Sequence, residues 1–164
     1  FVELGGGRAK TALLLETGAA LMRVHELTSL TGVAEIMVGM NDLHWDLRLS
    51  HRFEVATSTI LESVSAQVRA AGIRFGLGGV ANPDIAGLPV SPDLVLARYA
   101  QLQVGSSWIA RSFFHPSLTP DHFPEAIAKL RTRISYWFSR TPGELDEATQ
   151  RLREDVRQLA SGVS

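Results

Sequence analysis

Two short apolar runs, Thr11 to Glu16 (TALLLE) and Ala34 to Gly39 (AEIMVG), decide the fold class; the first ends in Glu16, and the second leads into the polar residues Asn41 and Asp42. Between them, Gly18 to Thr31 places Ala19, Met22, Leu27 and Leu30 near helical spacing, with Gly32 as a C-terminal stop. Strand, helix and strand in this order form a βα unit of a parallel sheet, whose strands are covered on both faces and therefore read as unbroken apolar runs. The grammar repeats downstream. Phe53 to Ala71 carries Ile60, Leu61, Val64, Val68 and Ala71 on one helical face, and Gly72 closes it. Arg74 to Ala81 (RFGLGGVA) reads as a third strand, weakened by glycines that suit close backbone approach, and Gly105 to Arg111 (GSSWIAR) reads as a fourth. Ser91-Pro92-Asp93, Thr119-Pro120-Asp121 and Thr141-Pro142-Gly143-Glu144 each offer a hydroxyl N-cap, a proline at the first helical position and an early acid. The expected architecture is α/β, with about four βα units equivalent to half of a (β/α)8 TIM barrel and additional C-terminal helices. Its domains divide at 1–116 and 117–164.

Composition narrows the function class. The 164 residues are 45% hydrophobic and 20% charged, as in an ordinary globular domain, and the net charge is -1. No basic surplus exists to neutralise phosphates, so a dedicated nucleic-acid interface is not expected. Cysteine is absent, which removes disulfides, thiolate metal sites and cysteine nucleophiles. No apolar stretch approaches the roughly 18 residues of a membrane span, and the expected location is cytoplasmic.

Chemistry in parallel α/β folds gathers at the C-terminal ends of strands. Glu16 and Asp42 both occupy such ends. Two carboxylates at one mouth need a cation or a shared proton, and oxygen ligands without neighbouring thiolate suit Mg²⁺ or Mn²⁺. The alternative is a helix-capping Asp42 and a Glu16 paired with a surface arginine.

These residues also carry a resemblance. Leu15-Glu16-Thr17, Ala20, Gly32-Val33 and Val38-Gly39-Met40-Asn41-Asp42-Leu43 look like the pattern "IET…A…GVD…IGPNDL" of the HpcH/HpaI aldolase/citrate lyase family, with Glu16 and Asp42 26 residues apart as that family's metal-binding carboxylates are. Val68-Arg69-Ala70-Ala71-Gly72 and the strand after it continue the likeness, which covers roughly residues 11 to 112 and fades beyond Phe113. The resemblance implies a metal-dependent lyase acting on a pyruvate-like 2-keto acid. Glu16 and Asp42 would hold the ion, and Gly39, Met40, Asn41 and Asp42 would line the substrate carboxylate, with the N–H groups of Asn41 and Asp42 as a small anion nest. Met40 stands where the family has proline, and His44-Trp45-Asp46 where it has a small polar run. The family's catalytic arginine and histidine relay lie in the first half of the barrel, so this chain is expected to need a missing N-terminal half or another subunit.

Other residues admit two readings each. His44, expected on the same loop as Asp42, could protonate an aldehyde oxygen or extend the metal shell, or be a bystander. Arg111 could pair with a substrate carboxylate through its planar fork, or with a neighbouring acid. His25 and His51 read as solvated or capping, and His115 and His122 flank a turn without a partner at metal-ligand spacing. Ile127, Leu130, Ile134, Tyr136, Trp137 and Phe138 form a broad apolar stripe, and together with the resemblance this points to a homo-oligomer. The rival classes are a phosphoenolpyruvate-utilising phosphotransferase, whose "GTNDL" segment also resembles Val38 to Leu43 but whose cysteine proton donor is absent here, and a non-catalytic half-barrel interaction module.

Overall fold

The computed structural model describes residues 6, 8–114 and 118–162. The expected boundary at 116–117 and His115 lie outside them. The chain folds as two compact units: one runs to Gly78 and includes Leu102–Ser107, and the other comprises Gly79–Gln101 and the chain from Trp108 onward. Helix Pro92–Gln101, expected with the half barrel, therefore belongs with the C-terminal helices.

The first unit is built on a parallel sheet of β1 (Thr11–Leu15), β2 (Val33–Val38) and β3 (Arg74–Leu77), in the order β1-β2-β3. Its register pairs Leu15 with Val38, and Val38 with Leu77, so the three strands finish level. Central β2 is covered on both faces, with Ile36, Met37 and Val38 all buried, as a parallel strand between helices must be. β1 pairs along one side only among the described residues, and its Leu14 is exposed.

The helices form where the apolar periodicity lies, with two corrections. The expected helix 18–31 is split into α1 (Gly18–Met22) and α2 (Val24–Thr28) by Arg23, whose backbone is not helical. The break shifts the phase of the buried face, so Leu21 and Val24 pack inward while Met22 and Leu30 are exposed. The expected helix 53–71 is split into α4 (Phe53–Thr57) and α5 (Thr59–Ala70) by extended Ser58, whose hydroxyl accepts the Leu61 N–H. On α5 the buried positions Leu61, Val64, Ser65 and Val68 follow one helical stripe, while Ile60 is exposed. Between these lies α3 (Met40–Asp46), which forms a helix where the sequence suggested a loop.

The fourth strand is reduced to two isolated parallel bridges, Gly76 with Ser106 in the first unit and Val80 with Ile109 in the second. Glycines explain this. β3 stops before Gly78, and Gly79 brings its backbone so close to Trp108 that an added Cβ would lie 3.1 Å from the Trp108 carbonyl oxygen. Gly105-Ser106-Ser107 has little β propensity, and its pairing with β3 is short: the Gly105 N–H donates to the Phe75 carbonyl at 2.8 Å, the Leu77 N–H donates to the Ser106 carbonyl at 3.2 Å, and the Ser107 hydroxyl donates to the Leu77 carbonyl at 2.6 Å.

In the second unit, α6 (Pro92–Gln101) packs against α7 (Phe123–Phe138) and α8 (Pro142–Ala160). Helix α6 is buried from Val95 through Ala100, including fully buried Arg98. Gln101 joins it to α8: its Nε2 donates to Asp146 at 2.6 Å, and its Oε1 accepts from Thr149 at 2.8 Å and from Arg98. Trp137 of α7 donates its indole N–H to Asp93 at 3.1 Å, so part of the aromatic stripe is anchored internally, while Tyr136 and Phe138 are exposed. The α7 start differs from expectation, because Thr119-Pro120-Asp121 opens a 3₁₀ turn over Pro120–His122 before the helix. The α8 start is a full capping box, with Thr141 and Glu144 each accepting from the other's backbone N–H. Among the described residues no helix is long and apolar enough to cross a membrane.

Leu61→Ala, which empties a fully buried site on α5, should lower unfolding free energy by about 2–5 kcal/mol. Thr141→Ala, which removes a cap at the surface, should cost only about 1 kcal/mol. Urea unfolding of both variants measures the contrast, and equal losses would contradict the packing assigned to α5.

Candidate functional site

The level ends of β1 and β2 place Glu16 immediately after Leu15, and Gly39 immediately after Val38. The Gly39 N–H donates to the Leu15 carbonyl at 2.9 Å, extending the parallel pairing by one bond past the strands. Gly39 then caps α3, and Asp42 falls in its first turn. Acidic side chains suit that position, near the positive end of the helix.

The carboxyl groups of Glu16 and Asp42 interact electrostatically. Partial burial first, and then the hydrogen bond and charge of Asp42, hold the Glu16 carboxyl above its ordinary range. Among the described residues neither carboxylate has a basic side chain in salt-bridge contact. The surface-arginine alternative for Glu16 is thus not what these residues form. Two anions without a counter-ion suit either a shared proton or a divalent cation with oxygen ligands, so the donor set fits Mg²⁺ or Mn²⁺. No third His, Cys, Asp or Glu completes a metal cluster among the described residues, and such an ion would take its remaining ligands from water or substrate.

Gly39 makes the pair possible. An added Cβ would lie 2.8 Å from Glu16 Cγ and 2.9 Å from Glu16 Oε1, so any side chain at position 39 would occupy the volume of the carboxylate stem. The backbone there has φ -88°, which any residue adopts, so the requirement is one of space.

Two further expected participants have settings of their own. His44 follows Asp42 by two positions on a helix, which turns it to the far side. It is buried, its Nδ1 donates to the Asn41 carbonyl, and its ring lies 4.6 Å from Trp45. His44 thus supports the helix and does not extend the carboxylate pair. Arg111 belongs to the second unit, exposed in a 3₁₀ turn over Arg111–Phe113 and not at a strand end. His51 stacks on Phe53 at 5.3 Å, and burial followed by the charges of Arg52 and His44 lowers its pKa.

Sequence reasoning missed Asp46. It stands one helical turn beyond Asp42, and its Oδ2 accepts the Gly18 N–H at 2.7 Å. An acid four residues after a candidate ligand was a signal only once this segment was known to be helical.

Compared with known proteins, 83 residues of the chain are 32% identical to the 4-hydroxy-4-methyl-2-oxoglutarate aldolase cghB of Chaetomium globosum. The match takes in 49% of this chain and spans only 31% of that protein. No family model matches, and no solved structure matches.

In the metal-free protein, Asp42→Asn should bring the Glu16 pKa down toward its ordinary value, because the repelling charge is gone. Carboxyl ¹³C NMR titration reads this directly, and an unchanged Glu16 midpoint would show that the two groups are not coupled.

Proposed function

We propose that this chain supplies the metal-binding half of an aldolase-type lyase, which makes or breaks a carbon–carbon bond beside the keto group of a pyruvate-like 2-keto acid. The carrying observation is the carboxylate pair of Glu16 and Asp42, held at neighbouring strand ends without a basic partner among the described residues. Similarity to an aldolase whose name specifies a 2-oxo acid supports the same reading. The finer assignment is to a half (β/α)8 barrel of the HpcH/HpaI kind, supported by parallel β1-β2-β3 and by the motif from Val38 to Leu43.

Glu16 and Asp42 would hold Mg²⁺ or Mn²⁺. A divalent cation held by these two residues would supply Lewis-acid stabilisation of negative charge beside the keto group. The chain's own contribution is placement. Gly39 leaves room for Glu16, and the turn from Gly39 through Met40 and Asn41 to Asp42 lines the place where the 2-keto acid would present its carboxylate. The side of β1 that pairs with no strand among the described residues is where a complementary half, from the same protein or from another subunit, would continue the sheet. That half would bring the arginine and the proton relay that the family resemblance calls for.

The test is titration with Mn²⁺, followed by electron paramagnetic resonance. The wild-type chain should bind one ion, and both Glu16→Gln and Asp42→Asn should weaken binding by at least roughly tenfold with the fold retained. A pyruvate-release assay on a 4-hydroxy-2-keto acid should give no turnover from this chain alone. Wild-type protein that binds no Mn²⁺ would leave the non-catalytic module as the better reading. Turnover by the chain alone would overturn the assignment of catalytic groups to a complementary half.

A further inference from the structure

Glu16 sits on a short connection between β1 and α1, a place where a chain ordinarily has freedom to move. Here the connection is fastened on both sides of Glu16 to the segment that carries Asp42. On one side, the Gly39 N–H donates to the carbonyl of Leu15, the residue before Glu16, at 2.9 Å. On the other, the N–H of Gly18, two residues after Glu16, donates to Asp46 Oδ2 at 2.7 Å. Asp46 and Asp42 are four residues apart on α3 and therefore share one face of that helix. The second fastening reaches from one turn beyond Asp42 across to the Glu16 connection. Thr17 closes the remaining freedom by accepting the Ala20 N–H at 3.1 Å, which makes the residue after Glu16 the N-cap of α1.

The approach of these segments is close. A Cβ added to Gly18 would lie 2.9 Å from Leu47 Cδ2 and 3.5 Å from Asp46 Oδ2, so the connection is packed against the end of α3 as well as bonded to it. A carboxylate accepting a backbone N–H is a charge-assisted bond, stronger than its neutral counterpart.

We infer that Asp46 is a positioning residue, whose bond to the Gly18 N–H fixes the separation of Glu16 and Asp42 and thereby sets the affinity of the pair for a divalent cation. This rests on the metal-binding reading of the pair. Asp46 itself touches no ion. Its role is geometric and needs only an acceptor oxygen at Oδ2, so an asparagine carbonyl oxygen can serve in its place, whereas alanine cannot.

The experiment compares wild type, Asp46→Ala and Asp46→Asn by Mn²⁺ titration with electron paramagnetic resonance, and by hydrogen exchange at the Gly18 amide. Asp46→Ala should weaken Mn²⁺ binding roughly tenfold and speed Gly18 exchange, while Asp46→Asn stays within about threefold of wild type and keeps the amide protected. If Asp46→Ala does not fold, Asp46→Asn decides alone: affinity within about threefold supports positioning, and a loss of roughly tenfold overturns it. Wild-type affinity in Asp46→Ala also overturns it. So does equal weakening in both variants, which would mean that the charge of Asp46 acts and not its hydrogen bond. Each of these outcomes requires a wild-type protein that binds Mn²⁺. Absence of binding in the wild type is the separate failure of the metal reading, and the positioning role falls with it.

Discussion

The parallel register of β1 on β2 is the constraint on which the carboxylate pair depends. With Leu15 opposite Val38, the residues that follow, Glu16 and Gly39, leave the sheet side by side, and the Gly39 N–H finds the Leu15 carbonyl. A slip of one residue would turn every β1 side chain to the opposite face and carry Glu16 away from the space that Gly39 leaves. Leu15, buried at the end of β1, makes such a slip costly, because its apolar side chain would lose that burial. The acidic site is therefore held in place by hydrophobic packing one layer below it.

Much of this was legible in the sequence, for a physical reason. Strands covered on both faces cannot hide their apolar runs, and TALLLE and AEIMVG became β1 and β2 within a residue or so of their expected limits. The acids at the ends of those runs inherit their position from the strands, so the convergence of Glu16 and Asp42 follows from the same pattern. What could not be read depended on local backbone geometry. Nothing in MNDLHWD contrasts sharply with a polar loop, yet it forms a helix, and the helical turn separates His44 from Asp42 while aligning Asp46 with it. Arg23 and Ser58 each interrupt a periodicity that looked continuous, since neither carries the glycine or proline that usually marks a break. The fourth strand, expected over GSSWIAR, is cut short because Gly78-Gly79 and Gly105-Ser106-Ser107 supply too few side chains to sustain a ladder.

The second unit solves a different problem. Helix α6 is buried all round, a condition that ordinarily excludes charge, yet it contains Arg98 with no exposed surface. The guanidinium donates to the carbonyl oxygen of Gln101, one turn later. Apolar contacts of Ala97 and Ala100 with Leu145 and Ala148 surround this polar seam and keep the two helices close.

Gln101 also gives that seam a polarity. Its oxygen receives from Arg98 and Thr149, and its nitrogen gives to Asp146, so the amide has one workable orientation: turned over, its NH₂ would confront the donors and its oxygen the carboxylate. Alanines and leucines alone tolerate sliding, since one greasy contact replaces another at little penalty. An amide read from both ends does not. Moving α8 by a single turn along α6 would exchange the partners of Gln101 and strand buried hydrogen-bonding groups, so this one side chain functions as a key that admits a single alignment of two helices.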